Sequence, residues 1–203
     1  MPALYIYVWY LPYVYKLRIL CNIRHRASPT MGVHPVTRLF LDTEWADASG
    51  EELVSLALLS EDGAHRFYAE IDPLPTYPTL FVRTVVYPLL QRGDAALSAT
   101  QFTRRLRAFL AALPAPRYIV FDADTDAVLL RHALAGFGLR DTGLGPVVHI
   151  EEVLLLRPDI RDGIETYFER HTEANLRRHH AGVDAEALRR AFRAVTYGDS
   201  LFS

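Results

Sequence analysis

The chain has 203 residues, enough for one ordinary domain with a sizeable core, and with half of them apolar and 11% aromatic wholesale disorder is excluded. A formal net charge of -2 excludes a globally basic nucleic-acid binder and leaves only local arginines for such a role. The single cysteine, Cys21, excludes an internal disulfide and a thiolate cluster for zinc, which fits a reducing cytoplasm.

Residues 1–31 differ in character from the remainder of the chain. MPALYIYVWYLPYVYKLRIL is rich in Tyr, Val and Leu and carries no charge before Lys16; the basic, irregular CNIRHRASPT comes next. The apolar part is short of the roughly 20 residues that span a bilayer. Its positive charges come after the apolar run, whereas a signal peptide places them before it. Three readings stand: a membrane-surface anchor, an added strand or hairpin of β-formers, or translated sequence upstream of a natural start at Met31. The last is preferred, because MGVHPVTRLFLDTEW has the form of a domain that opens one strand before its site.

From Thr37 the pattern is regular. TRLFLDTEW reads as a first strand, ELVSLALLS (Glu52 to Ser60) as a second and HRFYAEI (His65 to Ile71) as a third, with SEDGA as the turn between the last two. Short connections rich in Asp and Gly predict an antiparallel meander. DPLPTYPT then leads into LFVRTVVYPLL, either a short helix ended by Pro88 or an extended lid. In SATQFTRRLRAFLAAL, Ser98 and Gln101 have capping-box spacing, and Phe102, Leu106, Phe109, Leu110 and Leu113 share one helical face. Arg104, Arg105 and Arg107 fall on the other, a solvated face by default. RYIVFDADTDAVLLRHALAGFG reads as strand (Arg117 to Phe121), acidic turn and helix, with Asp124 or Thr125 as N-cap and Gly136 as C-cap. PVVHIEEVLLL is a further strand. Terminal helical patterns come last, broken around Gly182, and after Asp184 the residues Ala187, Leu188, Ala191, Phe192 and Val195 share a face. The sum is an α/β or α+β layered domain.

Three acidic islands carry the chemistry. Asp42 and Glu44 lie two apart on a strand and so on one face. Asp122, Asp124 and Asp126 stand where the fourth strand gives way to a helix, and Asp184 heads the last helix, with His179 and His180 just before it. If the first and fourth strands are neighbours, these islands meet. Carboxylates without a thiolate suit magnesium or manganese rather than zinc. Such a cluster would hold two divalent ions about 3.5–4 Å apart, clamping the attacking and leaving oxygens of a phosphoryl transfer. A histidine titrates in the right range to be the base. His132 and His149, within apolar segments, read as core or surface residues.

The order D-x-E, then an Asp opening D-x-V-x-L, then H-x4-D followed by A-x-A-L resembles the DEDD superfamily of 3′ to 5′ exonucleases in its histidine-containing branch. Phe81 to Leu90 resembles the connector of the ribonuclease AS-like group, whose members trim RNA. The resemblance spans roughly Arg38 to Val195 and implies a ribonuclease H-like mixed β-sheet, an antiparallel three-strand meander plus parallel strands, flanked by helices. It makes residues 1–31 an N-terminal extension and 32–203 the exonuclease domain. It implies that Asp42, Glu44 and Asp184 hold the ion that activates water, that Asp42 bridges to a second ion held also by Asp126, and that His179 is the general base. Asp126 is preferred among the middle acids, because it stands immediately before the A-V-L-L stretch; Asp122 and Asp124 read as turn and cap. His180 gives the shorter H-x3-D and reads as packed or solvent-facing. Trp45 either stacks on the terminal base or packs in the core, and Arg83 either contacts phosphate or forms a salt bridge. The third motif departs from the family in Gly182, where a larger apolar residue is common; a looser approach to the helix and a mobile His179 are expected.

The implied activity is metal-dependent, two-ion hydrolysis of single-stranded RNA from its 3′ end in the cytoplasm, with no membrane required and a homodimer left open. The alternatives are the same chemistry on DNA, since ribose selection turns on contacts to the 2′-hydroxyl, and a non-catalytic nucleic-acid or protein-binding module on the same fold.

Overall fold

The computed structural model describes residues 5–10, 13–18, 36–140 and 143–199, the first two segments as backbone only. Its strands are β1 (Tyr5–Tyr10), β2 (Tyr13–Arg18), β3 (Thr37–Trp45), β4 (Leu53–Ser60), β5 (Arg66–Ile71), β6 (Ala96–Leu97), β7 (Arg117–Phe121) and β8 (Glu151–Leu154). The helices are α1 (Ala99–Ala111), α2 (Asp124–Leu134), α3 (Pro158–Arg170), α4 (Thr172–Asn175) and α5 (Ala181–Tyr197).

Strands β3 to β8 form a mixed six-stranded sheet in the order β8-β7-β3-β4-β5-β6, and the antiparallel pair β1–β2 extends it at β8, where Leu17 faces Glu152. β3, β4 and β5 are the expected antiparallel meander, whereas β7 runs parallel to both β3 and β8. The boundary at residue 31 and the preferred start at Met31 lie outside the described residues.

Period-two alternation puts helices on both faces of the sheet. Leu39, Leu41, Ile119 and Phe121 are buried with Phe102, Leu106 and Leu110 of α1 and Leu129 and Leu130 of α2. On the other face Phe40, Val120 and Val153 are buried with Ile160 of α3 and Leu188 and Ala191 of α5. The result is an α/β layered fold. Gly163 lets α3 lie close on α5, since a Cβ there would come 2.9 Å from that of Ala191.

Local chemistry explains most element boundaries. The Ser98 hydroxyl accepts from the Gln101 N–H at 3.4 Å and the Gln101 side chain accepts from the Ser98 N–H at 3.2 Å, the expected capping box. α2 departs from expectation: its N-cap is Ala123, with no side-chain cap, so Asp124 and Asp126 both lie inside the first turn. PVVHIEEVLLL is a strand only over Glu151–Leu154, because β7 offers just Tyr118 to Phe121 as partners. β6, two residues long, is too brief to leave a periodic signal.

The arginine face of α1 is not uniformly solvated. Arg107 is buried and donates to the carbonyls of Leu134 and Gly145, closing the C-terminal end of α2. Arg104 and Arg105 are exposed and reach the carbonyls of Gly143 and Asp94. The connector is a π-helical turn, Val82–Val86, running into a 3-10 turn, Tyr87–Leu89. Pro88 does not end the helical path; it sits at the start of the second turn, where a missing N–H costs nothing. Val82 and Val86 pin this connector to Ala46 and Val54 at the ends of β3 and β4.

The break before the last helix is not at Gly182. It lies between α4 and α5, and α5 begins at Ala181 with Gly182 in its first turn. No helix among the described residues is long and apolar enough to cross a membrane.

Candidate active site

Where β3 runs on past the end of β7, the two chains part, because β7 turns away into α2. The pairing Phe40 with Val120 places Asp42 and Glu44 of β3 beside the turn at Asp122. α5 closes over the same end of the sheet. It comes near because Ala57, Ala181 and Ala185 are small and pack together, which carries Asp184 to the strand face bearing Asp42 and Glu44. All of Asp42, Glu44, Asp126, His179 and Asp184 line one cleft of about 380 Å³, with Trp45 and Phe81 also in its wall.

Each side chain has its own support. Asp126 is buried at 2% exposure, and its Oδ1 accepts both the backbone N–H of Thr43 at 3.1 Å and the Thr43 hydroxyl at 2.7 Å. Asp184 Oδ2 accepts the backbone N–H of His179 at 3.0 Å. His179 adopts a left-handed conformation (φ 72°) and meets the edge of Phe81 with ring centroids 4.9 Å apart. Donor atoms of Glu44, His179 and Asp184 all lie within 4.8 Å of one another.

The electrostatics are those of a crowd of acids with too few cations. Burial, then the charges of Asp184 and Asp126, raises Glu44 to about 8. Burial raises Asp126 to about 7 against the opposing Thr43 hydrogen bond, and raises Asp184 to about 7 against the bond from His179. Asp42 is raised well above the usual carboxylate range by burial and by the charge of Asp184. His179 is lowered, by burial and then by the neighbouring Arg178, so its ring is neutral at pH 7 and able to accept a proton.

Two oxygens, Asp42 Oδ2 and Asp184 Oδ1, are buried without a hydrogen-bond partner. An unpartnered buried carboxylate oxygen is costly unless a cation reaches it. Glu44, His179 and Asp184 can therefore hold a metal ion, and a donor set dominated by carboxylates fits a hard divalent cation.

Not every expected site residue belongs to this group. Arg83 is exposed on the connector, does not line the cleft, and forms no ion pair among the described residues. Asp122 lines the rim and is exposed; Asp124 is exposed at the start of α2 and does not line the cleft, so Asp126 is the middle acid that is buried there. Trp45 packs partly against the core, as one of its two readings expects, and it also lines the cleft. His132 and His149 are exposed, His132 against the edge of Phe137. His180 is not solvent-facing: it is 4% exposed and caps α5. Thr43 and Phe81 were not expected in the site. A hydroxyl between the two acids of D-x-E is a readable signal for Thr43, since it faces the helix layer opposite to theirs, whereas Phe81 is placed only by how the connector folds back.

No protein-family model matches the chain, and no curated protein matches it significantly.

Proposed function

We propose that the protein is a metal-dependent 3′ to 5′ exoribonuclease of ribonuclease H-like architecture, hydrolysing phosphodiester bonds one at a time from the 3′ end of single-stranded RNA. The observation that carries this reading is the convergence of Asp42, Glu44, Asp126 and Asp184 from β3, α2 and α5 on one cleft, two of their oxygens buried without partners, beside a neutral histidine.

Asp42, Glu44 and Asp184 would hold one divalent ion and Asp42 with Asp126 a second. Bound there, such ions supply charge neutralisation at the phosphodiester and lower the pKa of attacking water. The chain's own residues do the rest. With the ions held by the carboxylates alone, His179 is left off the metal: it accepts the water's proton on its ring nitrogen, and its lowered pKa keeps that nitrogen available down to mildly acidic pH. The Asp184 carboxylate, bonded to the His179 backbone, holds base and metal-site acid in one unit. Trp45 and Phe81 offer aromatic faces and edges in the cleft wall to a terminal base, which suits substrates of any base identity.

The test is to incubate the full chain with 5′-labelled and 3′-labelled RNA and DNA oligonucleotides in Mg2+, Mn2+ or EDTA. The expected result is a ladder of products shortened from the 3′ end of RNA, abolished by EDTA and by Asp42→Ala or Asp184→Ala. A ladder that survives either substitution overturns the mechanism, and one formed on DNA alone overturns the substrate class.

A further inference from the structure

Next to the proposed base stands a second histidine whose ring is engaged on every side. His180 Nδ1 accepts the backbone N–H of Gly182 at 3.1 Å, capping α5. Neutral imidazole has one N–H, so the proton sits on Nε2. The Gln91 side-chain nitrogen lies 3.3 Å from Nε2; with the proton on Nε2 the two groups hydrogen-bond once the Gln91 amide is turned about its last torsion, which puts its oxygen in that place. The ring stacks on Tyr68, centroids 4.6 Å apart and planes 12° from parallel.

These contacts are in turn held by one buried carboxylate. Glu70, fully enclosed in β5, accepts from the Tyr68 hydroxyl at 2.7 Å and from the backbone N–H groups of Gln91 and Arg92 at 2.6 and 3.0 Å. Arg92, at φ 55°, makes the turn that aims both N–H groups at it. The two ends of the connector thus grip consecutive residues: Phe81 meets His179 and Gln91 meets His180. The His180 carbonyl also takes the N–H groups of Val183 and Asp184, at 2.7 and 3.1 Å.

Gly182 belongs to the same arrangement. A Cβ there would lie 3.1 Å from His180 Cε1 and 3.3 Å from Nδ1, against the ring that caps the helix. The glycine makes room for the histidine cap.

We propose that His180, braced by Tyr68 and Gln91, is a positioning residue: it locks the first turn of α5 so that His179 keeps its left-handed backbone and its ring beside Glu44 and Asp184. This deepens the exonuclease reading and rests on His179 being its base. His180 touches no reacting atom; it acts through its neighbour.

The experiment is a cycle of His180→Ala, His180→Asn, Gly182→Ala and the double variant His180→Ala with Gly182→Ala in the full chain. It is read by kcat and KM on an RNA oligonucleotide in Mg2+ and by amide hydrogen exchange at residues 179–184. A displacement of about 1 Å at a reacting group costs on the order of 100-fold, so His180→Ala is expected to lower kcat 10- to 100-fold with KM within about twofold, and to speed exchange at His179 and Gly182. Asn carries an acceptor where Nδ1 stood, so His180→Asn should recover most of both losses. Gly182→Ala should reproduce the loss in the parent chain and add nothing to His180→Ala. Equal impairment of the Ala and Asn variants, additive effects in the double variant, or unchanged exchange in His180→Ala overturns the proposal. If the parent chain shortens neither RNA nor DNA, the exonuclease reading falls, and the exchange arm alone decides whether His180 fixes His179.

Discussion

Thr43 gives both of its hydrogen-bond donors, backbone N–H and hydroxyl, to the same oxygen of Asp126. The strand that carries two acids of the cleft thereby orients the acid from α2. Thr43→Val keeps the shape and removes one donor. Partners that orient a metal-site ligand are typically worth about 10- to 100-fold in affinity or activity. The Mn2+ concentration for half-maximal activity should rise by about tenfold, and isothermal titration with Mn2+ checks it without substrate.

The acids of the cleft tie stability to pH. In the unfolded chain they ionise near their ordinary values of about 4; in the folded, metal-free chain Glu44 does so at about 8 and Asp126 and Asp184 at about 7. Between those limits the folded state holds more protons, so its stability is highest on the acid side and falls as pH rises towards 8. Thermal unfolding in EDTA should show Tm dropping from pH 5 to pH 8.5. Mg2+, which binds the ionised carboxylates, should flatten the decline.

Asp42→Asn removes a buried acid whose ionisation is opposed by burial and by the charge of Asp184. The variant should melt higher than the parent in EDTA at pH 8, gain less from Mg2+, and fail to cut RNA. Scanning fluorimetry with and without Mg2+ reads the first two effects. A variant that melts lower in EDTA would mean that the acids are not repelling one another.

Phe81 shields one side of His179 while itself half-exposed at 48%. Phe81→Ala should leave Tm within about 2 °C, since surface substitutions are usually within about 0.5 kcal/mol. It should admit water to the imidazole and let its pKa return upward. A higher base pKa moves the acid limb of the pH–rate profile to higher pH, which a series of initial rates from pH 5 to 8 will register.

Arg107→Met keeps the buried stem and removes the guanidinium that satisfies the Leu134 and Gly145 carbonyls. Leaving such groups unpaired costs about 3 kcal/mol, or roughly 6–12 °C in Tm for a chain of this size. Turnover per folded molecule should hold at 20 °C, because α2 meets the cleft at its other end.

What the sequence makes legible is whatever is set by nearest neighbours. Apolar runs bounded by turns rich in Asp and Gly predict β3, β4 and β5 to within a residue, and the two-residue period of a strand places Asp42 and Glu44 on one face; the Ser98–Gln101 spacing predicts its capping box. Asp126, His179 and Asp184 stand out through their order and spacing. The rest depends on partners distant along the chain. Arg107 looks like a surface cation because its acceptors are backbone carbonyls 27 and 38 residues away. Gly182 looks like a break because the cap that begins α5 is the side chain of His180, a poor capping residue by composition. β8 stops early because β7 does.

The ladder between β3 and β4 slips by one at the cleft: Glu44 faces Ser55 but Trp45 faces Leu53, leaving Val54 as an extra residue. Val54 is fully buried against Val82 and Val86, so the surplus residue is the peg on which the connector hangs. Deleting it would mend the ladder and unhook Phe81 and Gln91 from the two histidines. The length of β4 is thus itself constrained: at this end of the sheet the chain tolerates exchange of side chains better than the loss of a single residue.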